Sequence, residues 1–384
     1  MIDLFIQRYD RNLLVFLCIL TIIGTVMLYS ASWYESFSSS NGRTDMLFLQ
    51  NHLKRLLVGV FFLFGFLTID YRKLKEIAPY LIALSIILLI VTKLYYLGKG
   101  YSWYKPARWL YVGFFSIQTS DIARFSVILY MAYYADKKRD NLKDFQLGLL
   151  PALGILSLIM ALIIIQPDYS TALMIGAIGV LILFIGGSSL SQLSAAGACA
   201  MLVGIPVLLS REYRKQRFLS WLGIGDNTEI GYQANQSLIS LGNGGVFGVG
   251  LGNSIEKNHF LPTPHTDFIF AIIGEELGFL IGTVPVLTLF LLIFIRGLKI
   301  AKNCTDPFGI FLSIGIAFNL VLYAFVNAAV VTGIFPVTGL PMPMVSYGGS
   351  GMVVNMAMMG ILLNISQSRR SVGNKKGWSP VIRG

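Results

Sequence analysis

Only three cysteines occur in the 384 residues. Cys18, Cys199 and Cys304 fall in two apolar runs and one short polar loop, so no pair has the spacing of a disulfide framework or a metal-ligand set. Cysteine chemistry is set aside. Charge is also scarce: 13% of residues are charged and 55% hydrophobic, well short of the roughly quarter-charged usage of soluble domains, which points to an integral membrane protein. The glycine-dense stretch 242–254 has no Gly-Lys-Ser/Thr and no strand-like run before it, which argues against a nucleotide loop and for a packing or re-entrant segment. No repeat of 20–50 residues and no appended soluble domain is evident, so residues 1–384 read as a single domain. Acidic residues are the scarcer sign, 19 against 30 lysines and arginines, for a net charge of +11. No module of interleaved aromatic and basic residues accompanies that excess, which suits anionic lipid or an anionic lipid-linked substrate and not nucleic acid.

What is abundant is long apolar sequence. Runs of spanning length or slightly less occur near 12–32, 53–69, 77–97, 121–135, 148–165, 171–188, 193–210, 268–296, 307–330 and 349–366. The expectation is an all-α polytopic fold of about ten transmembrane helices. The first run exceeds the core of a signal peptide and reads as a first spanning helix. Between the fifth and sixth runs only Gln166-Pro167-Asp168-Tyr169-Ser170 intervenes, where proline predicts a tight turn. More than half of the 30 basic residues fall in segments that are cytoplasmic if both termini are inside, including a tail at 367–384. The exceptions cluster on the opposite face: Lys99, Lys105 and Arg108 between helices three and four, and Arg211, Arg214, Lys215 and Arg217 at the start of one large extracytoplasmic loop, 211–267. Function is expected to concentrate in that loop.

Carboxylates near the membrane stand out against this background. Phe268 to Arg296 would make a helix of about 43 Å, longer than a hydrocarbon core of about 30 Å, with Pro285 as a candidate kink. Counting outward from Arg296 puts Glu275 and Glu276 at the outer interface and Asp267 above it. The two glutamates point about 100° apart, and a structural ion pair is the plainer role for either. Asp267 immediately precedes the helix, so helix capping competes with a functional role for its carboxylate. Asp121 and Arg124, at i and i+3 after Gln118-Thr119-Ser120, can pair on one helix face. Asp168 is again a candidate cap. The stretch Pro336 to Ser350, rich in proline and glycine, predicts a re-entrant or cavity-lining loop.

Four segments in this order carry a resemblance: Gly231-Tyr232-Gln233-Ala234-Asn235-Gln236-Ser237-Leu238; GVGLGNS at 248–254; HTDFIFA at 265–271 with GEELG at 274–278; and TGLPMPMVSYGGS at 338–350. Together they resemble the FtsW/RodA family, the SEDS membrane glycosyltransferases that polymerise peptidoglycan from lipid II. The resemblance spans the first helix through the tenth, and GLGNS is more similar to the division branch than to the elongation branch. The family commonly reads Leu-Pro-Glu where this chain has Leu261-Pro262-Thr263-Pro264. At helix four it commonly has Gln-Pro-Ser-Glu and a later Lys, where Thr119, Asp121 and Arg124 stand here.

The resemblance implies an inverting transfer in which a growing lipid-pyrophosphate strand is the donor and a sugar hydroxyl of lipid II the acceptor. Asp267 would be the base. Lys105, Arg108, Arg214 and Arg217 would meet the pyrophosphate, Gln233, Gln236, His265 and Ser346 would contact substrate, and Asp121, Arg124, Asp168, Glu275 and Glu276 would support the site. A divalent cation, Mg or Mn, could bridge pyrophosphate and carboxylate, with no ligand set readable. Implied partners are a class B penicillin-binding protein transpeptidase and other division-complex membrane proteins, with the active site on the extracytoplasmic face of the cytoplasmic membrane. The alternatives are a lipid II flippase without covalent chemistry, an elongation-type polymerase, and a scaffold that recruits a transpeptidase.

Overall fold

The computed structural model describes residues 9–368, except 103, 104, 106, 113, 114, 210, 211, 225–228 and 259. The expected cytoplasmic tail beyond 368 and the Arg214 side chain lie outside the described residues. The helices are α1 (Arg11–Ser39), α2 (Leu47–Thr68), α3 (Arg72–Gly98), α4 (Thr119–Lys137), α5 (Leu150–Ile165), α6 (Tyr169–Gly186), α7 (Leu190–Leu209), α8 (Glu212–Trp221), α9 (Glu229–Gly244), α10 (Ile269–Gly278), α11 (Val284–Asn303), α12 (Pro307–Val331) and α13 (Ser350–Ile365). A π-helical turn, Phe145–Leu149, leads into α5.

Each of the ten apolar runs is helical. Among the described residues, seven helical segments are long and apolar enough to cross a membrane; α7 and α13 are apolar but shorter by that measure. The helix α4 is more polar, because it carries Asp121 and Arg124 at its start, and most of its length is buried among α3, α6 and α12. Of the seven, α12 is the most buried and stands as the central post. Against it and its neighbours packs an apolar core that includes Leu129, Ile178, Phe290, Leu312, Ile316 and Leu362.

The segment 211–267 is not an unstructured loop, since it contains α8 and α9. The segment between α3 and α4 holds an antiparallel hairpin, β1 (Trp109–Val112) with β2 (Phe115–Gln118), in register Trp109 opposite Gln118. Its alternation was too short to register as a strand pair in a membrane-protein sequence.

The eighth run departs from the expectation of one long helix. It breaks at Gly278, whose φ is +75°, and resumes through a π-helical turn, Phe279–Thr283, into α11; Pro285 lies in the first turn of α11, where it breaks nothing. The break is sustained by the glycine-dense stretch. Val249 N–H donates to Glu275 O and Gly250 N–H to Glu276 O, both at 2.9 Å, while Phe279 and Leu280 N–H donate to Gly245 O and Val246 O. Backbone groups freed by the break thus find partners, as apolar surroundings require. Such close backbone approach needs glycine, since a Cβ on Gly248 would collide with the Glu276 carbonyl and one on Gly278 with the Gly248 amide.

The same packing encloses the two glutamates: both side chains are buried inside the protein, and the expected structural ion pair forms at Glu276. Glu275 accepts from Ser240 Oγ (2.9 Å), Ser254 Oγ (2.6 Å) and Ile255 N–H (3.0 Å), and among the described residues it is held by these neutral donors and not by an ion pair. Glu276 pairs with Lys257, Nζ to Oε1 2.6 Å, and also accepts from Ser30 Oγ at 2.7 Å. Lys257 uses its remaining protons on Gly252 O (2.7 Å) and Ser30 Oγ (3.1 Å). The two carboxylates fasten the loop 245–257 to α10 and α1.

Candidate active site

A cavity of about 270 Å³ opens where the hairpin, the starts of α4 and α6, the segment before α10, and the loop 339–349 converge over α12 and α13. Its lining includes Asp267, Arg108, Asp121, Arg124, Asp168 and Ser346, six of the expected site residues, brought together from five separate stretches of the chain.

Asp267 is not a helix cap. The cap position of α10 is Phe268, with no side-chain cap bond, and the Asp267 carboxylate has no protein hydrogen bond among the described residues. Its Oδ2 faces Gly339, whose φ of +72° turns the backbone aside there. Burial pushes the carboxyl above its ordinary value; nearby Arg217, Arg108 and His265 pull against that, and Asp168 adds to it.

Asp168, by contrast, is a cap: Oδ1 accepts from Thr171 N–H at 3.4 Å at the start of α6. Its other oxygen lies 3.8 Å from Arg108 Nε and 3.4 Å from Gln118 Nε2. Arg108 also donates to Pro167 O, which fixes its guanidinium at the cavity mouth. Asp121 accepts from Arg124 at 3.2 Å, as the i, i+3 spacing predicts, and from Ser350 Oγ at 2.8 Å. Arg124 donates to Asn355 Oδ1 at 3.2 Å and lies 4.6 Å from the centroid of the Tyr323 ring.

Ser346 lines the cavity, but its hydroxyl accepts from Met342 N–H at 2.8 Å and holds the loop's own turn. His265 is buried away from the cavity between Phe48 and Tyr347, and its Nδ1 lies 3.1 Å from Glu35 Oε2, close enough for an ion pair but not aligned as a hydrogen bond. Arg217 donates to Val337 O at 3.2 Å and reaches Asp267 electrostatically. Lys105 is exposed over the Tyr101 ring and outside the cavity lining. Gln233 and Gln236 lie on α9, outside the lining; Gln236 donates to the Tyr232 hydroxyl at 2.9 Å. The guanidinium groups that act on Asp267 are those of Arg108 and Arg217, while Lys105 lies outside the cavity lining.

Four residues were overlooked. Arg55 donates to Gly348 O at 3.3 Å and lies 4.9 Å from the Tyr347 centroid, so it braces the cavity loop. Tyr323, Asn355 and Asn327 stand in apolar helices, where a lone polar side chain was the available signal.

Residues 10–371 match the FtsW/RodA/SpoVE family of cell cycle proteins. The chain belongs to that family. Similar members include the probable peptidoglycan glycosyltransferase FtsW of Geobacter sulfurreducens, 38% identical over 94% of this chain and 96% of that one. Stage V sporulation protein E of Bacillus subtilis is 34% identical over 94% and 98%. Among solved structures, a chain from a peptidoglycan synthase complex that coordinates polymerization and crosslinking superposes with a TM-score of 0.74 at 23% identity, covering 94% of this FtsW/RodA-family chain and 98% of the other. The rod shape determining protein RodA of Thermus thermophilus superposes at 0.67, also at 23% identity, covering 95% and 99%. These structural likenesses establish a shared polytopic fold.

Proposed function

We propose that this FtsW/RodA-family protein is a peptidoglycan glycosyltransferase that polymerises glycan strands from lipid II, in septal wall synthesis, with Asp267 as the general base. The observation that carries the reading is the Asp267 carboxylate, free of any protein hydrogen bond among the described residues and turned into a cavity that also holds Arg108 and Arg124. In that role it takes the proton of the acceptor hydroxyl as the new bond forms at the donor's anomeric carbon. The anomeric carbon–oxygen bond to the lipid pyrophosphate breaks on the opposite face, so configuration inverts. Arg108 and Arg217 supply positive charge for the departing pyrophosphate. Asp121 and Arg124, held by Ser350 and Asn355, keep the cavity floor polar and in place.

The donor set does not make a resident metal site: among the described residues no three His, Cys, Asp or Glu side chains are grouped to hold an ion. Mg or Mn would arrive with the pyrophosphate, whose oxygens would supply ligands that the chain does not, and the role given to Asp267 does not require it. The kinship with FtsW supports a division role and a class B penicillin-binding protein transpeptidase as partner, together with other division-complex membrane proteins.

The test is polymerisation of labelled lipid II by the detergent-purified protein, with strands resolved on gels. Strands are expected. Transfer of lipid II between leaflets of a vesicle with no strand formed would hand the site to a flippase.

Orientation rests on the basic-residue bias, which puts both termini in the cytoplasm and the cavity on the outer face. In a cysteine-free background, a cysteine at Asn258 is expected to react with an impermeant maleimide on intact spheroplasts, and one at Lys375 only after permeabilisation. The reverse pattern would invert the topology and place the cavity inside the cell.

A further inference from the structure

Among the described residues the Asp267 carboxylate is held by no hydrogen bond of its own, yet a base must stand within about 3 Å of the proton it takes. Something else must set its place. Its backbone carbonyl is the anchored atom: Asn327 Nδ2 donates to Asp267 O at 2.7 Å. The same nitrogen donates to Leu340 O at 2.8 Å. A carboxamide NH2 has two protons, so both bonds form together. The orientation of the amide follows from chemistry, since the opposite rotamer would set Oδ1 against two carbonyl oxygens.

The two carbonyls belong to the two segments that face each other where Asp267 meets the cavity loop. Residue 339, next to Leu340, is the glycine against which Asp267 Oδ2 sits. Asn327 is 1% exposed, and it projects from α12, the most buried of the membrane-length helices. We infer that Asn327 is a positioning residue: its amide ties the backbone of Asp267 to the Gly339–Leu340 wall and so sets where the carboxylate stands in the cavity. The inference rests on the reading of Asp267 as base. A second asparagine on the same helix, Asn319, is buried too, but its amide bonds neither segment, which makes it the natural control.

The experiment compares Asn327→Leu, near-isosteric and without donors, Asn327→Asp, which turns an acceptor toward both carbonyls, and Asn319→Leu. Each is measured for lipid II polymerisation, thermal melting in detergent and the pH dependence of kcat/KM. Displacement of a reacting group by about 1 Å can cost on the order of 10²-fold, and both Asn327 variants are expected to lose about that much in kcat with KM for lipid II little changed. The acid limb of kcat/KM is expected to move toward lower pH, because a loosened carboxylate is better hydrated. Asn319→Leu is expected to keep wild-type kcat.

A folded Asn327 variant with wild-type kcat and acid limb overturns the inference. So does a loss confined to KM, an equal kcat loss in Asn319→Leu, or failure of both Asn327 variants to fold, which would make the amide a structural pin. Failure of the underlying reading looks different: strands made at near-normal rate by Asp267→Asn remove the base itself, whereas an inactive Asp267→Asn beside a fully active Asn327→Leu removes only the clamp.

Discussion

Replacing Asp267 by asparagine is expected to reduce glycan-strand synthesis from lipid II on the order of 10²–10⁴-fold while the protein still melts at the wild-type temperature. Asparagine keeps the side-chain size and removes charge and basicity. The thermal part of the expectation follows from geometry: the carboxylate makes no cap bond to α10 and no hydrogen bond to the protein among the described residues, so its loss removes no contact that holds the fold. Removing a carboxyl whose ionisation burial already disfavours also relieves a cost instead of adding one. The base must be ionised to act, so wild-type kcat/KM is expected to fall as the pH drops through the Asp267 pKa. That acid limb should lie above the ordinary aspartate value, because burial raises the group further than Arg217, Arg108 and His265 lower it. Gel separation of strands across a pH series, with a parallel melt, checks both. Near-normal synthesis by the asparagine protein would take Asp267 out of the chemistry.

Lys257→Met is expected to have the largest effect on stability. Lys257 and Glu276 form an ion pair with side chains 1% and 0% exposed, and the lysine spends its protons on Glu276, Gly252 and Ser30. Methionine fills much of the same volume but leaves Glu276 buried with only the Ser30 hydroxyl. Breaking such a pair from one side typically costs on the order of 3–5 kcal/mol. The double change Lys257→Met with Glu276→Met removes both charges and is expected to recover part of the loss, although not the backbone bond to Gly252. Melting of the two variants in the same detergent gives the comparison. A single variant that melts as the wild type would show that the pair is solvated and does not hold the loop. Because this loop supplies the partners for the backbone freed at Gly278, its loosening should also expose the broken helix.

Part of the cavity is legible in local stretches of the chain. Asp121 and Arg124 meet because i and i+3 share a helix face, and Asp168 caps α6 because a carboxylate beside a proline turn at a helix start has free N–H groups in reach. The capping account of Asp267 was equally reasonable on local grounds and failed, since the helix begins one residue later and the side chain turns away. Lys105 and Arg108 were indistinguishable as outer-face cations. Only Arg108 reaches the cavity, because Pro167 O and Asp168, some sixty residues on, fold against it.

The grouping of carboxylates and cations at one site came from the family resemblance, whereas hydropathy and spacing by themselves determined that this chain is a helical membrane protein, where its apolar runs lie, and that Asp121 and Arg124 pair. Those properties are local: a run of about twenty apolar residues or an i, i+3 pair is complete within its own stretch of chain. Only the tertiary structure decided that the eighth apolar run breaks at Gly278 into α10 and α11, that Glu275 and Glu276 are internal fasteners, and that Asn327 bridges Asp267 to Leu340. Each of these depends on a second segment arriving at hydrogen-bond distance: the glycine stretch at the broken helix, Lys257 at Glu276, the proline-rich loop at α12. The identity of a residue states which bonds it can make, but in an apolar interior the partner it finds is set by how the helices pack.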